Sequence, residues 1–258
     1  MRTSHPRGPG MAMDLRPTPM VLRLLIANIV IWLLFGVLVN LAGQQWVGEF
    51  FSEQLTLRPH DAILGLKVWQ LLSYSWLHDL GAASHLILNM LFLFFVGPAL
   101  EKRWGGRSFL TFYLWAGLIA GAVTCLAGLA LPSLFSAGVV GASGAIMAVF
   151  AAFSLVMPEA TVLLFFVIPI QAKWVIWIVV AIDTVVFVAA GADGGSRVAW
   201  HTHMGGVLAA WLLVTGNWRP RLLWNRLLLR YLKGRRSTRK AGPDLTVLPG
   251  GRDKDLLN

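Results

Sequence analysis

Residues 108–131 read SFLTFYLWAGLIAGAVTCLAGLAL, with no charge anywhere in the run. A helix needs roughly 20 predominantly apolar residues to cross about 30 Å of hydrocarbon, and this stretch supplies them. Five further segments repeat the pattern, at approximately 21–42, 85–101, 143–157, 172–191 and 200–216. The second and fourth of the six are short, as helices surrounded by other helices can be. The chain of 258 residues is 57% hydrophobic and only 13% charged, against roughly 25% charged residues in a soluble domain. The expectation is an all-α, polytopic membrane bundle of six transmembrane helices in one domain over residues 21–216. Val162–Ile170 is also apolar but too short to span, and Pro158 and Pro169 bracket it, so it is expected along a surface or in a connection.

The net charge of +10 is unevenly placed. Six spans put both termini and the second and fourth connections on one side, and that side carries Arg2, Arg7, Arg16, Arg23, Lys102, Arg103, Arg107 and Lys173. The stretch 218–240 adds nine Lys or Arg and no acid. By the positive-inside rule both termini are cytoplasmic. Residues 1–20 read as a basic disordered tail and 241–258 as a second disordered tail. In 217–240, Arg219, Arg226, Arg230 and Lys233 recur at helical spacing among leucines, which reads as an amphipathic segment on anionic lipid headgroups. Nucleic acid is the rival partner for such a run. The leucines and the preceding span exclude it from the expectation.

Polar side chains are costly in hydrocarbon, so those inside spans are the places to look for function. Three groups stand out: His85 and Asn89, Ser143, and His201 with His203. In the orientation above all three lie near the non-cytoplasmic ends of their spans, at one depth. Gly141-Ala142-Ser143-Gly144 sets a serine between glycines where a loop enters a helix, leaving room for a carbonyl and free N–H groups for an oxyanion. Read alone, the same residues make a helix-packing patch. A nucleophilic serine needs a base, and His203 supplies an imidazole, with Gly206 on nearly the same face to admit a close backbone. His201 falls about 200° around the helix and is assigned to the span's end. Asp183 reads as a structural or packing acid, which leaves a Ser–His dyad. His85 and Asn89, four apart, share a face from which both can point donors at an oxyanion, or can simply bond between helices. No carboxylate at metal-ligand spacing accompanies the histidines, and the single Cys125, within an apolar run, reads as packing.

Together these motifs resemble the rhomboid family of intramembrane serine proteases, over about 45–216. The resemblance rests on the G-x-S-G of Gly141–Gly144, the H-x-x-G of His203 to Gly206, the H-x-x-x-N of His85 and Asn89, the G-x-x-x-E-x-x-x-G of Gly97, Glu101 and Gly105, and the upstream His78. It implies cleavage of peptide bonds in or beside transmembrane segments of membrane-protein substrates, without a cofactor. Ser143 would attack, His203 would transfer the proton, and His85, Asn89 and the Ser143 N–H would hold the oxyanion, with Gly141, Gly144, Gly206, His78 and Glu101 in support. The compact six-span form is expected in a bacterial inner membrane. Three positions depart from the family pattern: Trp69-Gln70 where Trp-Arg is common, Met147 where an aromatic often stacks on the histidine, and Ala210 where a second glycine is common. A catalytically silent scaffold that binds transmembrane helices is the alternative. A transporter would place charges along several spans, and Asp183 is the one acid clearly inside one.

Overall fold

The computed structural model describes residues 16–164, 168–189 and 199–216. The expectations for residues 1–15, 217–240 and 241–258 lie outside them. Helix α1 spans Pro19–Gly36 and runs on as a wider, π-type turn through Val37–Leu41, so it begins inside the stretch expected as tail. Pro19 suits a first-turn position, where its missing N–H costs nothing. The first connection folds into three short helices, α2 at Gln45–Phe50, α3 at Pro59–Ile63 and α4 at Gln70–Ser73. Then come α5, Ala83–Trp104, α6, Gly106–Ala130, the short α7, Pro132–Phe135, and α8, Ser143–Val156. The last two helices among the described residues are α9, Ala172–Ala189, and α10, Trp200–Thr215.

Each of the six expected segments is occupied by a helix. Four are long and apolar enough to cross a membrane: Pro19–Leu41, Ala83–Trp104, Gly106–Ala130 and Ala172–Ala189. The other two are short for physical reasons. Helix α8 has 14 residues, about 21 Å at 1.5 Å per residue, and every residue from Gly144 to Ser154 is buried. It is the axis of the bundle, packed against α5, α6, α9 and α10, so protein rather than lipid surrounds it. Helix α10 has 16 residues and packs on α8 and α6 through Gly205, Gly206, Ala209 and Ala210, all buried. Between membrane helices, association depends on close van der Waals contact, which small residues permit. By contrast α1 and α9 turn large apolar side chains outward, among them Leu34, Trp177, Val185 and Val188, as a lipid-facing surface requires.

The all-α expectation needs one correction. Two strands, β1, Thr161–Leu164, and β2, Ile168–Gln171, pair antiparallel, Thr161 with Gln171 through Leu164 with Ile168. Val162–Ile170 is thus a connection with strand pairing of its own. Its β-branched residues favour extended backbone, and Pro158 stands just after α8 where a helix cannot continue.

The α5–α6 joint accounts for the Gly97, Glu101, Gly105 pattern. The Glu101 carboxylate, 6% exposed, accepts hydrogen bonds from the Met20 N–H at 2.9 Å, the Val21 N–H at 2.8 Å and the Thr18 hydroxyl. It therefore caps the N-terminus of α1 from another helix, where unpaired N–H groups favour an anion. A β-carbon on Gly97 would stand 2.8 Å from Val21 Cγ2, and Gly105 has φ of 81°, a left-handed turn that glycine adopts without strain.

Candidate active site

The first connection fixes the loop that delivers Ser143. Leu57 and Val139 exchange backbone hydrogen bonds at 3.0 and 2.9 Å, and the Gly141 N–H donates to the Tyr74 carbonyl at 3.0 Å. Tyr74 is anchored in turn, its hydroxyl donating to the Gly117 carbonyl at 2.8 Å. Gln70, where the family pattern often has arginine, is fully buried. Its amide donates to the Glu53 carbonyl at 3.1 Å and its oxygen accepts from the Arg58 N–H at 3.1 Å, so an uncharged side chain staples this connection.

Gly141 sits at φ of 130°, a conformation open to glycine. A β-carbon there would lie 2.8 Å from His85 Nε2, 3.0 Å from His85 Cε1 and 3.5 Å from Ser143 Oγ. The start of α5 and the start of α8 therefore meet at this one glycine. No side chain caps α8, and the Ile146 N–H makes a bond to the Ala142 carbonyl at 3.0 Å. The N–H of Ser143 precedes that bond and lies outside the ladder, as first-turn donors do.

His85 Nδ1 accepts a long hydrogen bond from the Asp79 N–H, at 3.5 Å. A nitrogen that accepts has no proton, so in the neutral ring Nε2 carries the hydrogen, on the side facing Gly141 and Ser143. The His78 ring packs edge-on against His85 with centroids 5.2 Å apart. His78 is fully buried, neither of its ring nitrogens has a hydrogen-bond partner, and burial, with His85 as second cause, pushes its pKa down to about 3. Asn89, the other expected donor, is 5% exposed and turns its amide back to the His85 carbonyl at 2.8 Å, which commits one of its two N–H groups.

His203 comes to this end of the bundle on α10. A β-carbon on Gly206 would fall 2.0 Å from the Gly144 carbonyl oxygen and 3.1 Å from Met147 Cβ, and one on Gly144 would lie 3.0 Å from Thr202 Cγ2. The two helices thus touch along their backbones beside the serine and one turn from the histidine. The Ser143 hydroxyl and the His203 ring are not hydrogen-bonded to each other. Instead His203 Nδ1 lies 3.0 Å from Asp183 Oδ1 and 3.1 Å from Oδ2, with the two side chains 16% and 10% exposed. A carboxylate only accepts, so Nδ1 donates and Nε2 is left as the bare nitrogen. Asp183, expected as a packing acid, is the partner of His203.

Residues 65–219, well over half of the chain, match the rhomboid domain family model. The chain belongs to the rhomboid family. With its four long apolar helices, this rhomboid protein is an integral membrane protein. It is similar to RHOMBOID-like protein 4 of Arabidopsis thaliana, with 40% identity over 84 residues. That match takes in 33% of this chain and 19% of the plant protein, so it spans about a fifth of its relative's length.

Other expected residues of the rhomboid domain lie apart from Ser143. Glu101 is 16 residues along α5 from His85, about 24 Å at 1.5 Å per residue, and its contacts are with α1. His201 packs against Phe135 of α7, centroids 4.7 Å apart. One pair was missed by sequence reasoning altogether. Thr124 of α6 donates to its own helix at Ala120, 2.9 Å, so the 2.6 Å contact with Thr202 is donated by Thr202. Two threonines 78 positions apart give no local signal; their polarity inside spans was the available one.

Proposed function

We propose that this rhomboid protein is an intramembrane serine endopeptidase that hydrolyses peptide bonds in or next to transmembrane segments of other membrane proteins. In this reading Ser143 is the nucleophile and His203 its general base, with Nε2 taking the hydroxyl proton. The His85 Nε2–H and the Ser143 N–H supply the oxyanion donors, and Asn89 contributes its uncommitted N–H. The observation that carries the reading is the convergence at Gly141, where the ring of His85 and the hydroxyl of Ser143 flank one backbone position. A donor beside an unbonded hydroxyl is what acyl transfer requires.

The basic residues near both chain ends favour a cytoplasmic N-terminus and C-terminus, with the serine opening to the opposite side. The basic segment 217–240 would rest on anionic lipids, and a bacterial inner membrane suits this form. The silent helix-binding scaffold keeps one argument, the missing Ser143–His203 hydrogen bond. Free enzymes commonly hold such pairs long and tighten them with substrate, so the catalytic reading is favoured. A fluorophosphonate, which reacts with an activated serine hydroxyl, tests it. The account expects a single adduct on Ser143 that His203→Ala abolishes; no adduct on the folded protein favours the scaffold.

A further inference from the structure

We infer that Asp183 is a positioning residue for His203, so that the hydrolytic centre is a Ser–His–Asp triad rather than a dyad. The inference rests on the catalytic reading of Ser143 and His203 and deepens it. It is carried by geometry: both Asp183 oxygens lie within hydrogen-bond distance of one ring nitrogen, Nδ1, at 3.0 Å and 3.1 Å. The carboxylate is 10% exposed, and a charge so enclosed persists where something answers it. The Nδ1–H is that answer, and a carboxylate on Nδ1 is what forces the other nitrogen to be the proton acceptor.

A second contact joins the same two helices without touching Asp183 or the His203 ring. One residue on, the Thr184 hydroxyl donates to the Val180 carbonyl at 2.8 Å and accepts from the Trp200 indole N–H at 3.0 Å. Trp200 and His203 are three apart on α10 and so share a face, and Asp183 and Thr184 meet them from α9 as a two-point clamp. In the reaction, Ser143 Oγ bonds to the substrate carbonyl carbon as its proton passes to His203 Nε2. The C–N bond then breaks and that proton leaves with the amine, after which water repeats the sequence on the ester. Asp183 accepts from Nδ1–H throughout, stabilises the transient imidazolium and takes no proton.

The test uses the full chain in liposomes with a reporter transmembrane helix. In Asp183→Asn the amide can present an N–H to Nδ1, which drives the ring proton to Nε2 and blocks proton acceptance. We expect kcat to fall between about 10²- and 10⁴-fold with KM held within about threefold. Thr184→Val removes the neighbouring clamp point only and should keep kcat within about threefold of the parent. If Asp183→Asn keeps parental kcat, or if both variants lose kcat together with thermal stability, Asp183 merely holds helices and the inference falls. Nitrogen NMR of the unaltered protein covers the case in which Asp183→Asn does not fold. The neutral His203 ring is expected to carry its hydrogen on Nδ1, and the opposite tautomer overturns the inference. Cleavage that survives Ser143→Ala and His203→Ala defeats the catalytic reading itself. Cleavage lost in those two but kept in Asp183→Asn defeats the triad alone.

Discussion

The carbonyl oxygen of Gly144 lies 2.0 Å from the point where a β-carbon on Gly206 would stand. Backbone oxygen cannot yield by rotating, so any side chain on Gly206 pushes α10 away from α8. Gly206→Ala is expected to destabilise the fold by about 1–3 kcal/mol, the usual range for overpacking. Because the displaced helix carries His203, activity should fall further than the loss of folded protein explains. Thermal unfolding and kcat measured on the same preparation check both parts.

Gly141→Ala combines a backbone penalty of about 1–2 kcal/mol with a clash against the His85 ring at 2.8 Å. Its effect should be concentrated in the chemistry. We expect a loss of kcat larger than in Gly206→Ala at a comparable drop in the unfolding midpoint, both read on the same preparations.

Much of this arrangement was legible in the sequence. Long apolar runs located the helices because hydrocarbon thickness dictates their length, and His85, Ser143 and His203 all fall at the starts of their spans. Residues 162–170 were legible as too short to span, but the pairing of the two strands there was not, because a short apolar run carries no strand register. The pairing of Asp183 with His203 has no signal in the sequence: it depends on the rotation of α9 about its axis, which a lipid-facing helix with apolar residues all round does not reveal. The Gln70 staple was hidden for a similar reason, since its partners are backbone groups of a folded connection.

Glu101→Ala removes the carboxylate that receives two backbone N–H groups and a hydroxyl at the start of α1. The expected cost is about 1–3 kcal/mol, that of leaving buried donors unsatisfied. His85, the α5 residue that lies beside Ser143, is 16 residues along the helix from this cap. Activity per folded molecule should therefore stay near the parent value while the unfolding midpoint drops.

The Thr124–Thr202 hydroxyl contact of 2.6 Å can be weighed with a double-mutant cycle of Thr124→Ala and Thr202→Ala. Side-chain hydrogen bonds between membrane helices average about 0.6 kcal/mol. A coupling energy of that size is expected, and additive effects of the two changes would show that the contact contributes nothing.

His78 makes stability pH-dependent in a defined direction. Its folded pKa is depressed to about 3 from an unfolded value of about 6.5, so below that value the unfolded chain binds the extra proton. The contribution is complete above about 6.5 and is lost progressively as pH falls toward the folded value. Unfolding midpoints across that window should decline in the parent, and decline less steeply in His78→Gln.

The central claim is tested most directly by cleavage of a reporter transmembrane helix by the purified protein in liposomes, alongside Ser143→Ala and His203→Ala. The account predicts cleavage by the parent and none by either variant, with all three folded. Equal cleavage by the parent and Ser143→Ala would contradict it, as would a parent protein that binds a panel of such helices and cuts none.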